Sequence, residues 1–400
     1  MVHDREPRLE AAVSLAALRR RTGAKWRTHP PDVLPLPVAE MDFPLAPPVA
    51  ERLHAAVRES DCGYAGPGPA LAEALAGFAA RRWGWALDPA HVTLAPEVGV
   101  GVVEVLRLLL RPGDQVVVNP PVYDSFFPWV AEVGCRLVEV PMAPSGDGHE
   151  LDLDGLERAF RGGARVHLLC SPHNPTGTVH RRETLLRLAA LAARHGVTVL
   201  SDEIHAPLVL PGRTHHPYPT LSDAAAAHGI VFTSASKAWN LAGLKCAAIV
   251  TAGPATRRLV GRLPEELPWR VGQLGVLAGV AAFADGEPWL DEVIGILDHH
   301  RRHLAELLAA RLPAVGYRPP DASYLAWLDC RGLGLGEDPS AHLLARGRVA
   351  LSPGPSFGRQ GAGFARLNFG TSRRILAEAV DRMAAAAPAR RPPPATPTRR

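Results

Sequence analysis

The stretch R-V-H-L-L-C-S-P-H-N-P-T-G-T-V-H-R-R-E-T-L-L-R-L-A-A-L-A-A-R-H-G-V-T-V-L-S-D-E-I-H, Arg165 to His205, decides the fold. It opens on a short, mostly apolar run, Arg165 to Leu169, that reads as a strand covered on both faces. A loop rich in Pro and Gly follows, and then Arg181 to His195 spaces its leucines and alanines at helical intervals. After Gly196 the run Val197 to Leu200 reads as a second strand. Strand, covering helix and strand in that order form a parallel crossover.

The same rhythm extends outward. Helical patterns are expected at Ala46 to Glu59, Ala70 to Trp83, Val98 to Leu110 and Leu153 to Phe160. Apolar strands are expected at Gln115 to Val118, Arg136 to Val140, Ile230 to Thr233 and Cys246 to Val250. Such alternation predicts an α/β architecture, a mostly parallel sheet with helices on both faces. Around Gly286 the pattern changes to a long helix, Trp289 to Arg311, then separated strands at Tyr324 to Asp329, Val349 to Leu351 and Phe364 to Phe369, and a last helix from Ser372. That is the pattern of a smaller α+β domain. The final residues, 387–400, are rich in Pro and Arg and are expected to be disordered.

A hydrophobic share of 47% with 21% charged residues belongs to a globular chain with ample core. The net charge of +4 is partly carried by the tail, and no basic stripe with interleaved aromatics occurs, so no nucleic-acid partner is expected. The five cysteines are scattered and contain no C-x-x-C, which argues for a reducing compartment and against a disulfide framework or a zinc site. With no basic start leading into an apolar stretch, and no run of about 18 apolar residues, the expectation is a cytoplasmic protein with no membrane partner. The pairs His215/His216 and His299/His300 have no partners at ligand spacing, so no metal is assigned. G-L-G-L-G at Gly332 to Gly336 lacks the spacing of a dinucleotide fingerprint and reads as a loop.

The chemistry gathers in loops after strands, where an open α/β sheet places its ligands. After Leu169 comes C-S-P-H-N-P-T-G-T, with Asn174 held between two prolines; after Leu200 comes S-D-E-I-H, with Asp202 at a strand end; after Thr233 comes S-A-S-K. Taken singly, these read equally as a turn Asn, a capping acid and a polar loop. Of 44 basic residues only three are lysines, Lys25, Lys237 and Lys245, and two of them fall in S-A-S-K-A-W-N-L-A-G-L-K, Ser234 to Lys245. An amine can lose its proton and attack a carbonyl, whereas a guanidinium cannot.

In order and spacing, N-P-T-G, S-D-E-I-H and S-A-S-K-x-x-N-x-A-G-L-K resemble the fold-type I pyridoxal 5'-phosphate (PLP) enzymes of the class I/II aminotransferase superfamily. M-D-F-P at Met41, G-Y-A-G-P at Gly63, S-Y-L-A-W-L-D-C at Ser323, L-S-P-G at Leu351 and R-L-N-F at Arg366 resemble its MalY/PatB branch of cystathionine β-lyase-like C–S lyases, over about residues 20 to 385. The resemblance implies an N-terminal arm, 1–45, joined to the small domain, a large PLP-binding domain, 46–285, and a small C-terminal domain, 286–386. It also implies that Lys237 bonds to the cofactor and then serves as base at the substrate Cα, that Asp202 pairs with the pyridine nitrogen, and that Asn174 bonds the ring hydroxyl with His205 beside it. Tyr123 would stack on the ring. Val98 and Gly99 would offer backbone amides to the phosphate, with Ser234, Ser236 and Lys245 around it. Arg366 would hold the substrate carboxylate, while Trp327 reads as core. Tyr64 would reach the site of a neighbouring subunit, making an obligate homodimer, so that Lys237, Tyr123 and Tyr64 are the residues expected to act in catalysis. One departure stands out: relatives commonly read P-G-V where this chain reads A-P-E-V-G-V-G, with Glu97 where phosphate would dock. Either Glu97 points away or the local geometry differs.

Three activities remain open at this level. The first is β-elimination from an L-cysteine S-conjugate such as cystathionine, giving thiol, pyruvate and ammonia. The second is transamination of an L-amino acid, for which Lys237 serves equally. The third is a PLP-binding regulator without turnover, against which the intact set Lys237, Asp202 and Arg366 argues.

Overall fold

The computed structural model describes residues 9, 13–66, 68–146 and 148–388. Seven strands form its main sheet, in the order Val92–Ala95, Ala247–Thr251, Gly229–Thr233, Thr198–Asp202, Ala164–Cys170, Gln115–Val118 and Arg136–Glu139. The last five run parallel, and only Ala247–Thr251 runs against its two neighbours. Successive residues of a strand face opposite ways. Val116, Leu168, Leu200, Phe232 and Ile249 accordingly pack in one apolar cluster with the helix Val98–Leu109, and Val117, Leu169, Val199, Val231 and Ala248 in another. Both faces are therefore covered, and nothing selects for polar alternation along these strands, which is why they read as unbroken apolar runs.

A second sheet of four antiparallel strands follows the order Gly316–Tyr317, Leu325–Asp329, Phe364–Asn368 and Ser352–Pro353. It is reached through the 25-residue helix Glu287–Arg311. The strand expected at Val349 to Leu351 is split. Val349–Ala350 pairs in parallel with Leu34–Pro35, and Ser352–Pro353 turns into the four-stranded sheet. The segment after Leu34–Pro35 is thereby brought beside the sheet that carries Arg366. The disorder expected for 387–400 concerns residues that, beyond 388, lie outside those described. G-L-G-L-G lies in and after a single turn of 3-10 helix, Arg331–Leu333, with no strand-to-helix crossover around it.

Register carries the chemistry to one edge. Cys170 lies opposite Asp202, and Asp202 opposite Phe232, so three neighbouring parallel strands end side by side. The loops leaving this edge carry Tyr123, Asn174, His205 and Lys237. Gly177 lets one of them pack closely: at φ +67° a side chain there is strained, and its Cβ would meet Pro320 at 2.2 Å.

Candidate active site

A cavity of about 600 Å³ opens at that edge, lined among others by Tyr123, Asn174, Asp202, His205, Lys237 and Arg366. Lys237 sits on a single helical turn, Ala235–Ala238, capped by Ser234, whose Oγ accepts from the Ser236 N–H at 3.0 Å. The cap fixes the turn so that the Lys237 amine enters the cavity and donates to the Ala39 carbonyl at 3.1 Å. Burial lowers the amine's pKa, and the Arg366 charge lowers it further.

Asp202 is 5% exposed, and its carboxylate accepts one hydrogen bond, from the Ile204 N–H at 3.1 Å. Burial pushes it up to about 7, against the stabilising pull of that bond and of Lys237. His205 is held down at about 3, first by burial and then by Lys237 and Arg366, so its ring is neutral at pH 7. Its Nδ1 is buried with no hydrogen-bond partner among the described residues.

Arg366, from the strand Phe364–Asn368, donates to Asn174 Oδ1 at 3.0 Å, Ser352 Oγ at 3.1 Å and the Pro37 carbonyl at 2.9 Å. Its guanidinium lies over the Phe357 ring at 4.8 Å, and its Nε is buried without a partner among the described residues. With Asn174 Oδ1 engaged, the amide nitrogen of that side chain is left as donor. Tyr123 packs edge-on against Phe126 and Trp129. Trp129 in turn lies over Gly99, where a Cβ would come within 2.5 Å of the indole.

Val98 and Gly99 begin the helix Val98–Leu109, and Glu97 is its N-cap residue without a side-chain cap bond. The Glu97 carboxylate contacts the Lys245 amine across the cavity wall. So Glu97 turns toward Lys245, the basic residue that the sequence led one to expect beside a phosphate. Ser234 and Ser236 both line the cavity, and the Ser234 hydroxyl donates to the Cys246 carbonyl at 2.6 Å. Tyr64 is 85% exposed, packs edge-on against Trp269, and does not line the cavity of its own chain. Trp327 is buried and stacks on Phe364. Among the described residues, no group of three His, Cys, Asp or Glu could hold a metal ion, and no helix is long and apolar enough to cross a membrane.

The feature least visible in the sequence is a strap over the cavity, Pro37 to Asp42. Every one of its carbonyls accepts a side-chain donor: Pro37 from Arg366 and Ser352, Val38 from Asn368, Ala39 from Lys237 and Tyr324, Glu40 from Lys25 and Asn368, Met41 from Asn240, and Asp42 from Arg21. Asn240 also accepts the Met41 N–H, at 2.8 Å. Asn240 stood in the quoted S-A-S-K-A-W-N motif and Tyr324 in S-Y-L-A-W, but no short-range signal joins either to residues 39–41.

Residues 31–383 match the family model described as "Aminotransferase class I and II". A Mycobacterium tuberculosis protein, named as a candidate cystathionine beta-lyase, is 46% identical over 398 residues, covering 93% of this chain and 96% of its own length. "Cystathionine beta-lyase PatB" of Bacillus subtilis is 36% identical over 358 residues, covering 89% and 92%. Among solved structures, a candidate PLP-dependent beta-cystathionase of Corynebacterium diphtheriae superposes with a TM-score of 0.88 at 37% identity, covering 93% of this chain and 97% of that one.

Proposed function

The chain belongs to the class I and II aminotransferase family, in its MalY/PatB branch, and on that premise we propose that it is a PLP-dependent C–S β-lyase. Its substrate is L-cystathionine or another L-cysteine S-conjugate, cleaved to thiol, pyruvate and ammonia. The observation that carries the reading is the convergence on one cavity of a desolvated amine, a nearly bare buried carboxylate and a buried guanidinium with one N–H to spare.

The donor set fits the cofactor. Asp202, with a single hydrogen bond, is suited to hold a protonated ring nitrogen; the Asn174 amide and neutral His205 would hold the ring hydroxyl, and Tyr123 would pack on the ring. The amides of Val98 and Gly99, with Ser236 and Lys245, form the anion end. Bound there, PLP supplies a conjugated, electron-withdrawing ring into which the electron pair left at Cα can spread. Lys237 takes the Cα proton, and its desolvated surroundings favour the neutral amine that this requires. Arg366 fixes the α-carboxylate and so aims the Cα–H bond. The Cβ–S bond then breaks with its electron pair leaving on sulfur, and the released enamine hydrolyses to pyruvate and ammonia.

The small domain consists of the arm through residue 45 together with 286–386, and closes on the large domain, 46–285. The working unit is a homodimer in the cytoplasm, with Tyr64 of one copy serving the Lys237 cavity of the other. Mixed dimers of the inactive Tyr64→Ala and Lys237→Ala chains regain activity in that arrangement; no recovery after confirmed exchange removes Tyr64 from the site. The activity itself is tested with L-cystathionine by measuring pyruvate and free thiol with and without a keto-acid acceptor. Pyruvate without an acceptor is the expected result. Amino-acid formation that depends on the acceptor would make the protein an aminotransferase, and neither product with tight PLP binding would make it a regulator.

A further inference from the structure

We propose that Glu97 sets how tightly this chain keeps its cofactor, by offsetting the one full positive charge that the cavity offers to the PLP phosphate. The inference rests on the reading that places PLP in this cavity with its phosphate at Val98 and Gly99. Four cations line the cavity, and three of them are engaged elsewhere. Lys237 donates to the Ala39 carbonyl, Arg366 to Asn174, Ser352 and Pro37, and Arg107 is divided between Glu104 and Glu132. Lys245 is the fourth, and its amine contacts the Glu97 carboxylate.

The backbone holds both partners in place. Glu97 is the N-cap residue of Val98–Leu109, so it sits beside the amides of Val98 and Gly99, and its side chain makes no cap bond that would draw it away. Lys245 follows the single turn Ala242–Leu244 at φ +57°, a left-handed conformation uncommon for any residue with a side chain. Its carbonyl accepts the Gly272 N–H at 3.3 Å, which ties that conformation to the next helix. The ammonium at this end thus arrives with a carboxylate attached, and the pair carries no net charge. What remains to hold a phosphate dianion is neutral: the two amides at the positive end of their helix, and the Ser236 hydroxyl. These groups orient the phosphate, while Glu97 competes for the same ammonium and repels the anion. A cofactor held in this way exchanges with the solution more readily than one given the whole charge of Lys245.

The test titrates the full, cofactor-depleted chain and its Glu97→Gln variant with PLP and with pyridoxal, which carries the same ring and aldehyde without the phosphate. Bound ligand is read by absorbance, and release by diluting the loaded protein into a PLP scavenger. In the variant the Kd for PLP should fall about three- to tenfold, the size of one solvent-screened charge contact made with a divalent anion, and release should slow. The Kd for pyridoxal should not change. An unchanged Kd for PLP overturns the proposal, and so does an equal tightening of both ligands, which a reshaped cavity would cause. Lys245→Ala separates this from failure of the underlying reading, because it leaves Glu97 without its counter-charge and should weaken PLP but not pyridoxal. If it weakened neither, the placement of the phosphate would fail and the proposal with it. If it weakened PLP while Glu97→Gln had no effect, the placement would stand and the proposal alone would fall.

Discussion

Asp202 and Glu203 are consecutive, both are buried, and their surroundings are opposite. Glu203 accepts from Ser201 Oγ at 3.0 Å and the Tyr218 N–H at 2.9 Å, and meets His215 Nε2 at 2.9 Å. Asp202, pointing the other way, accepts a single backbone bond. The two amines that bond to the strap divide in the same manner. Lys25 is held by the Asp42 carboxylate at 2.9 Å and the Glu40 carbonyl at 2.9 Å, while Lys237 has, among the described residues, only the Ala39 carbonyl. A buried charge that folding leaves incompletely satisfied is costly, so the saturated pairs act as scaffold and the unsaturated ones are kept for a ligand.

Substituting each side of that contrast should separate loss of chemistry from loss of fold. The largest effect is expected for Lys237→Ala: pyruvate formation should fall by more than about 10³-fold, with the fold retained. Borohydride treatment followed by peptide mapping should find no pyridoxyl group on the variant. A label on Lys25 or Lys245 would end the distinction between the amines. For Asp202→Asn, PLP should still bind, while deuterium exchange at the substrate Cα should slow by about 10²- to 10³-fold. Wild-type exchange in that variant would place Asp202 with Glu203 among the scaffold.

The scaffold side should respond in the other currency. His215→Leu leaves Glu203 with two of its three partners, so stability measured by urea unfolding should drop by about 2 kcal/mol. Cα exchange per folded molecule should stay at the wild-type rate. A last effect concerns pH in the cofactor-free protein. Asp202 is raised in the fold to about 7 from an ordinary 3.8, so it binds a proton more tightly folded than unfolded. Its contribution is therefore fully present below about pH 4 and is lost as pH rises through about 7. Urea midpoints at pH 5 and pH 8 should show this loss in wild type and not in Asp202→Asn. Equal slopes would mean that Asp202 is better satisfied than its single bond indicates.

What the sequence disclosed follows from the range of the interactions. Asn174, Asp202 and Lys237 lie at or just after strand ends, where sequence neighbours fix the local geometry, and the apolar strands before them could be read from a few residues. The helix Gln273–Asp285 gave no stripe to read, because buried residues occur on several sides of it and Gly279 sits directly against Leu71. Val92–Ala95 is only four residues long, and the turn of role at Leu351 depends on Leu34, more than 300 positions earlier. Glu97 marked itself as a departure in the sequence, but only its contact with Lys245 shows which way it faces.

The strap adds a constraint on the order of events during synthesis. Residues 37–42 leave the ribosome early, yet the Val38 carbonyl waits for Asn368, 330 positions later, and the Ala39 carbonyl waits for Lys237, 198 positions later. At about 5 to 20 residues per second, that first interval lasts roughly a quarter of a minute to a minute. Through most of it the Pro37 and Val38 carbonyls lack their side-chain donors, while the parallel sheet can already assemble from residues made in between. Translation thus delivers the floor of the cavity before the late anchors of its roof, and a nascent chain stalled between Lys237 and Ser352 has the amine without the donors that hold the strap at Pro37 and Val38.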